Sequence, residues 1–385
     1  MPPRLRPGSV CSRCHFHRRS LSSTAFLAQK QAERPPPPPE AGHVRLVNRA
    51  LISLTGADST SFLQGLITQN VVSAKSRASP TTPFYAGFLN AQGRLLHDTF
   101  IYPTLPEENG GNEGMELGYL IEVDKEQVTN LLKHLKKHKL RAKLKFRALD
   151  EGERGPETIC RTCRSRFLDN KRRSLPITLR RILHGIPEGQ DELGRESALP
   201  MDSNMDIMGG IDFHKGCYLG QELTIRTHHR GVVRKRVLPV QLYNTEDPKP
   251  MPSSSGIPVY SPDSQLLLPS AGANITKSSA SGKGRSAGKF ISRIGNVGLA
   301  LCRLETMTDI SLTGESSQYN PSEEFKISWE ANADAGVAEA GEVKVTAFIP
   351  PWVKDYILHG GTRQRQTKED VHRAKSGTEQ IEEED

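Results

Sequence analysis

The strongest constraint on the fold is a change of sequence pattern at Gly231. After this residue the helical periodicity stops, and short apolar runs bounded by turn residues follow at 237–242, 257–260, 290–294, 297–302 and 343–348. Regularly spaced short strands without helices are typical of a small β-barrel or sandwich. The sequence therefore predicts a small C-terminal β-domain, which we place as a barrel over 237–355.

Before residue 231, strand and helix patterns alternate irregularly. Apolar runs at 84–89 and 95–102 flank a turn and predict a β-hairpin. Asp58 and Asp124 each stand where a helix can begin, and the second helix has apolar residues at i, i+3, i+4 and i+7. Such an order does not suit a doubly wound parallel sheet. The expected fold class of this region is mixed α+β.

Composition divides the chain further. A Ser/Gly/Ala/Lys-rich insert and the charged C-terminal stretch contain too few large apolar side chains to form a core, so both are predicted to be disordered. The polar segment 150–178 has no pattern that assigns it a structure. The predicted parts are a leader and proline-rich linker at 1–40, an α+β region of two subdomains at 41–236 with a boundary near residue 150, the barrel at 237–355 with its insert at 269–288, and a tail at 356–385.

The first 21 residues predict a mitochondrial address. They contain five arginines and no acid, so removing them takes the formal net charge from +8 to +3. An Arg- and Ser-rich stretch without acids is typical of an organellar transit peptide, and a disordered basic tail is the alternative. The string at 19–22 resembles a matrix-protease site with cleavage after Leu21. We expect the protein in the mitochondrial matrix.

Several classes of site fit the sequence poorly. Of two C-x-x-C pairs, one lies in the leader, and Cys160 with Cys163 has no second pair at the spacing of a tetrahedral zinc site, so no stably bound metal is predicted. No run reaches 18 consecutive apolar residues, which excludes a membrane-spanning helix. The basic stretches lack the interleaved aromatic residues of single-strand nucleic-acid platforms.

The most informative string lies at 212–222 and reads DFHKGCYLGQE. Two glycines four residues apart around Cys217 predict a tight turn that opens a helix at Gln221. Cys217 would then lie near the helix N-terminus and close to Lys215, and both features lower the pKa of a thiol. The alternative is that Cys217 is a small buried hydrophobic residue. Cys217 and Lys215 are the candidate catalytic residues.

Residues 215–222 resemble the K-G-C-Y-x-G-Q-E signature of the folate-binding YgfZ-type proteins, which are related to the glycine-cleavage aminomethyltransferases. Seven of the eight positions in this signature are fixed. Further agreement with the family lies at 56–65, 90–98 and 185–189. The resemblance covers residues 43–305 and the strand near 345.

This resemblance implies a ring of three domains around a channel for tetrahydrofolate or a similar ligand. The mitochondrial members of the family support the assembly of [4Fe–4S] enzymes. The implied partners are therefore A-type iron–sulfur scaffold or carrier proteins and [4Fe–4S] clients of the aconitase and lipoate-synthase type.

The resemblance also implies a set of ligand contacts. In the aminomethyltransferases an Asp-Asp pair follows the hairpin turn, and here the pair reads His97-Asp98. On a strand these two side chains point to opposite faces, and Asp98 shares its face with apolar residues, so its burial requires a ligand or a donor. The alternative is an aspartate that caps a neighbouring turn. The implied folate contacts are Asn90, Arg94, Asp98, Asp202, Tyr218, Gln221 and Glu222.

A tetrahydrofolate-dependent aminomethyl or one-carbon transferase is the rival function. The scaffold favours it, while the loss of one carboxylate at His97 and the presence of Cys217 argue against it. The sequence leaves open whether the chain is an enzyme.

Overall fold

A computed structural model describes residues 48–72, 82–104, 118–150, 175–251, 256–262, 266, 269–279, 286–312, 319–329 and 340–359. The leader and linker, most of the segment 150–178, both C-x-x-C pairs and most of the tail lie outside these residues. The predicted domain limits stay predictions.

The first part of the described chain is an antiparallel sheet with the strand order β2-β3-β4-β1-β5. Its central strands β1 and β4 pair over their full lengths and place Ile52 opposite Ile121 in the core. Because one face is buried, this register is strongly specified. The elements are β1 Arg49–Thr55, α1 Ser59–Gln64, β2 Phe84–Leu89, β3 Leu95–Thr104, β4 Gly118–Asp124, α2 Val128–Lys139 and β5 Lys145–Ala148.

Helix α2 has the predicted amphipathic pattern, with Leu131 and Leu135 buried in the core. Asp124 caps the 3-10 turn before it, since its carboxylate accepts from the backbone N–H of Glu126 at 3.0 Å. The predicted cap by Asp58 is wrong, because that carboxylate accepts instead from the backbone N–H of Lys143 at 2.6 Å. Asp58 thus links α1 to the loop before β5.

Two helices connect the sheet to the C-terminal part: α3 Leu175–Leu183 and α4 Gln221–Arg230. Helix α4 begins where the signature predicts, after Gly220 with a φ of 80°. No helix in the described ranges is both long and apolar enough to cross a bilayer.

The C-terminal part is a closed barrel with the strand order β10-β11-β6-β9-β8-β7, which confirms the predicted β-barrel. Its interior is apolar and includes Leu238, Ala300 and Val345. The elements are β6 Lys235–Tyr243, β7 Asn274–Lys277, β8 Gly288–Ile294, β9 Val297–Arg303, α5 Leu304–Met307, β10 Phe325–Trp329, β11 Gly341–Ala347 and α6 Pro351–His359.

Three details of the barrel prediction are wrong. The insert at 269–288 contributes β7 to the barrel, because Ile275 is buried within an otherwise polar run. Residues 257–260 form no strand, since Asn296 and other side chains bind their backbone in place of a ladder. The tail at 356–385 begins inside α6, whose Val353 is buried against the barrel.

Candidate functional site

Lys215 anchors the signature loop to the chain that follows α1. Its ammonium donates to the backbone carbonyls of Gln64 at 2.8 Å, Ile67 at 2.6 Å and Gln69 at 3.0 Å. Nζ also lies 4.8 Å from the ring centroid of Tyr218. Burial lowers the pKa of Lys215 to about 8. All three donors of the ammonium are used in this loop contact, so Lys215 has a positioning role in place of the predicted catalytic one.

Two glycines bring the hairpin turn and the signature loop into backbone contact. A Cβ on Gly220 would lie 2.2 Å from the carbonyl oxygen of Asn90, and one on Gly93 would lie 2.9 Å from the carbonyl oxygen of Gly220. Both residues have positive φ, 80° and 78°. The side chain of Asn90 accepts from the backbone N–H groups of Gln92 and Arg94. Asn90, predicted as a folate contact, thus shapes the turn that receives the signature.

Cys217 is exposed on this anchored loop. Its neighbour Tyr218 is buried, and the backbone N–H of Tyr218 donates to Gln221 Oε1 at 3.2 Å. The N–H of Leu219 donates to the carbonyl of Gly65 at 3.0 Å. The alternative of a buried cysteine is therefore wrong, and Gln221 serves the turn. Glu222 is exposed in the first turn of α4.

Imidazoles lie beside the signature loop. The ring of His228 stacks on Phe213 with centroids 3.7 Å apart and planes at 8°, and His229 lies 5.0 Å from His228. Within the described ranges, no group of three or more His, Cys, Asp or Glu side chains is placed to hold a metal ion.

A second group of candidate residues forms a buried charge cluster around Arg49. This guanidinium donates to Asp98 Oδ2 at 3.1 Å and to Glu122 Oε1 at 3.0 Å, and it lies 3.7 Å from Glu188 Oε1. Burial alone would lower the pKa of Arg49, but the three carboxylates outweigh it and raise the pKa. Arg49 is thus the donor that the burial of Asp98 requires.

The cluster continues to Arg181 and reaches the barrel. Arg181 contacts both Glu188, at 3.4 Å, and Glu192, at 2.5 Å. The hydroxyl of Ser292 on β8 donates to Glu192 at 2.8 Å. Burial raises the pKa of Glu188, although the two arginines act in the opposite direction. The cluster therefore ties the sheet, the segment after α3 and the barrel together.

The buried charge cluster has spare hydrogen-bonding capacity. Four carboxylates, those of Asp98, Glu122, Glu188 and Glu192, face the two guanidiniums. Asp98 Oδ1, Gln190 Oε1 and the hydroxyl of Tyr85 are buried without a hydrogen-bond partner among the described residues. Burial and the nearby Asp98 raise the pKa of Tyr85 well above its usual range. A ligand that carries hydrogen-bond donors would satisfy these groups.

His97 is fully buried on the opposite face of β3 from Asp98. Its Nε2 lies 2.8 Å from Nη1 of Arg195, and because a guanidinium can only donate, Nε2 is the acceptor and the proton lies on Nδ1. Burial, with Arg195 and His134 nearby, lowers the pKa of His97 to about 3. His97 is therefore neutral at pH 7.

This burial predicts a loss of stability in mild acid. The unfolded chain binds a proton near the ordinary pKa of 6.5, and the folded chain only near 3, so the contribution of His97 is complete at pH 7 and is lost as the pH falls. Between pH 7 and pH 5 the loss is about 2 kcal/mol in the free energy of unfolding.

Urea unfolding of the wild type and of His97→Gln at both pH values measures this loss. Glutamine keeps an acceptor for Arg195 and does not titrate. Asp202, whose pKa burial raises to about 6, acts in the opposite direction but equally in both proteins. An identical pH dependence in the two proteins would contradict the neutral buried imidazole.

The structure brings together only some of the predicted folate contacts. Arg94 donates to the carbonyl of Ser197 at 2.8 Å, and the carbonyl of Asp202 accepts from Val237 in β6. The sequence analysis missed Arg49, whose role depends on partners 49 and 73 positions away. Glu122 did give a signal, as a lone acid inside the apolar strand β4.

The described part of the chain also contains a cavity of about 780 Å³ next to the barrel. Met251, Phe348 and Leu358 are among its lining residues. None of the predicted site residues lines it.

Comparisons with known proteins agree with this geometry. Residues 234–355 match the family described as CAF17, C-terminal beta-barrel domain. The solved structure of glycine cleavage system aminomethyltransferase T from Bartonella henselae matches with a TM-score of 0.51 over 83% of this chain and 87% of that chain. At 11% identity this likeness shows the fold alone, and it confirms the predicted aminomethyltransferase-like scaffold.

Sequence relatives cover the whole chain. A protein of Coccidioides immitis named iron-sulfur cluster assembly factor IBA57 homolog, mitochondrial, is 87% identical over 100% of both chains. The protein of the same name from Aspergillus oryzae is 47% identical over 100% of this chain and 99% of its own length. These names confirm the predicted mitochondrial localisation. The chain belongs to the family of mitochondrial iron–sulfur cluster assembly factors named IBA57 homologues.

Proposed function

We propose that the chain supports the maturation of [4Fe–4S] proteins in the mitochondrial matrix, and that it acts through the thiol of Cys217. Its family supports the general role in iron–sulfur cluster assembly. The observation that carries the proposal is the exposure of Cys217 on a loop whose other polar groups are used to hold the loop in place.

Thiolates are the usual protein ligands of iron–sulfur clusters. One thiol cannot complete the coordination of a cluster, so Cys217 would share the ligation with a second protein during transfer. The partners that fit are A-type iron–sulfur carriers and the client enzymes, of the aconitase and lipoate-synthase type. A deletion strain that carries Cys217→Ser tests this proposal.

The buried charge cluster supports a second element, the binding of tetrahydrofolate. A reduced pterin presents an amino group and ring N–H groups, which are donors. Asp98 Oδ1 and Gln190 Oε1 are buried acceptors without partners among the described residues, and the excess of carboxylates in the cluster favours a ligand rich in donors. Asp98 would hold the pterin, and Arg49 would keep Asp98 ionised and oriented.

Folate binding predicts a ligand-dependent rise in thermal stability. A reduced folate at 100 times its Kd stabilises the native state by about 2.7 kcal/mol, provided that it binds the native state only. Asp98→Asn removes a charged acceptor and should weaken affinity about tenfold or more. His97→Gln, on the opposite strand face, is the matched control and should retain wild-type affinity.

Calorimetric titration with 5-formyltetrahydrofolate, and the midpoint shift of each variant against its own ligand-free midpoint, measure the effect. These differences are needed because Asp98→Asn also disturbs the pair with Arg49. No shift in the wild type, or equal weakening in both variants, would count against this site.

An aminomethyl or one-carbon transferase remains the rival, because the scaffold resembles aminomethyltransferase T. The structure offers one carboxylate, Asp98, where the transferases have an adjacent pair, and His97 lies buried and hydrogen-bonded to Arg195. Turnover of an aminomethyl-carrier protein with tetrahydrofolate would decide for the rival.

A further inference from the structure

We infer that the surface formed by α2, the following loop and β5 binds membranes that contain anionic lipid. This basic surface consists of Lys133, Lys136, Lys137, Lys139, Arg141, Lys143, Lys145 and Arg147. The sequence contains no acid from residue 127 to residue 149. A positive charge of this density attracts an anionic lipid surface, with each Lys or Arg contributing to the attraction.

The charges of the basic surface are available to a partner. All its members except Lys139 are exposed, and Lys139 is half-buried. Within the described part of the chain, neither its lysines nor Arg141 form an ion pair with a carboxylate. The interior side of α2 is packed through Leu131 and Leu135, so the lysines are not needed to hold the helix on the sheet.

Leu140 places an apolar side chain in the middle of this surface. It is 90% exposed, the largest value among the exposed large apolar residues of the described chain. Its φ of 44° is one that L side chains rarely adopt, so neither packing nor backbone preference explains a leucine there. An apolar residue that enters the acyl boundary, surrounded by lysines whose stems extend toward the headgroups, is typical of interfacial binding.

Protection of a sheet edge, a protein partner and a nucleic acid each suit this surface less well. Lysines on β5 protect an open sheet edge, which accounts for Lys145 but not for the lysines of α2. Protein interfaces are depleted in lysine and enriched in aromatic residues, whereas this surface has six lysines and no exposed aromatic ring. The same lack of rings disfavours single-stranded nucleic acid. An anionic bilayer is the occupant that uses both the lysines and Leu140.

Co-sedimentation of the full chain with vesicles tests the inference. The vesicles contain phosphatidylcholine alone or phosphatidylcholine with cardiolipin. One variant carries Lys133→Gln, Lys136→Gln, Lys137→Gln and Arg141→Gln. A matched control changes four other exposed basic residues, by Arg226→Gln, Arg230→Gln, Arg234→Gln and Lys289→Gln. The basic leader is the same in every protein, so its own attraction cancels in the comparison.

The wild type should bind cardiolipin vesicles and release them as the salt concentration rises. The four substitutions on the basic surface should weaken binding about tenfold or more, and the control set less than about twofold. Leu140→Gly should weaken binding without lowering the thermal midpoint, since Leu140 is almost fully exposed. Absence of vesicle binding, equal binding to neutral vesicles, or equal losses in the two sets of substitutions would each overturn the inference.

Discussion

Replacing Gly220 by valine is expected to lower the free energy of unfolding by at least about 3 kcal/mol. Gly220 has a φ of 80°, which costs a residue with a Cβ about 1–2 kcal/mol. The new Cβ would also lie 2.2 Å from the carbonyl oxygen of Asn90, and overpacking of this kind costs about 1–3 kcal/mol. The hairpin turn and the signature loop would have to separate.

Gly216→Val is the matched control in the same loop. A Cβ on Gly216 meets nothing within 4 Å, and its φ is not positive, so the free energy of unfolding should change by less than about 0.5 kcal/mol. Thermal unfolding of both variants measures the contrast, with a fall of about 5–10 °C expected for Gly220→Val alone. Similar midpoints would contradict the contact between the two turns.

Local signals predicted much of the fold. The hairpin of β2 and β3 and the start of α4 follow from turn glycines next to strongly patterned runs, and such signals act within a few residues. Strand β7 escaped prediction because only Ile275 in its four residues is buried. Its strand conformation depends on pairing with β8 and β10, which no local pattern encodes.

The site shows the same division between near and distant interactions. The exposure of Cys217 and the turn at Gly220 follow from the signature itself. The role of Lys215 does not, because the three carbonyls that it binds lie about 150 residues earlier in the chain. Proximity in sequence suggested that the ammonium would activate the neighbouring thiol, but burial without these hydrogen bonds would be costly for a charge. Folding therefore uses the lysine to hold the loop.

Cys217→Ser is expected to abolish support of [4Fe–4S] enzymes while leaving the protein folded and abundant. An exposed thiol contributes little packing, so the free energy of unfolding should change by less than about 0.5 kcal/mol. Serine cannot supply a thiolate, the ligand that iron–sulfur clusters require. In a deletion strain, aconitase activity and protein lipoylation should remain near the level of the empty strain.

Cys302→Ser provides the matched control, because it makes the same chemical change at a buried position. Cys302 is fully buried in the barrel core, and burial raises the pKa of its thiol, which makes it inert. A hydroxyl there should lower the free energy of unfolding by about 1–3 kcal/mol, yet the fraction that folds should keep its activity.

The two serine variants therefore predict opposite results in two measurements. Cys217→Ser should lose function and keep its thermal midpoint, whereas Cys302→Ser should keep function per folded molecule and lose several degrees of midpoint. Protein abundance, measured in the same cells as aconitase and lipoylation, separates the two effects. Full complementation by Cys217→Ser would contradict the proposed role of the thiol. The signature would then be explained by the anchoring of Lys215 and the close packing of Gly220 against the hairpin turn.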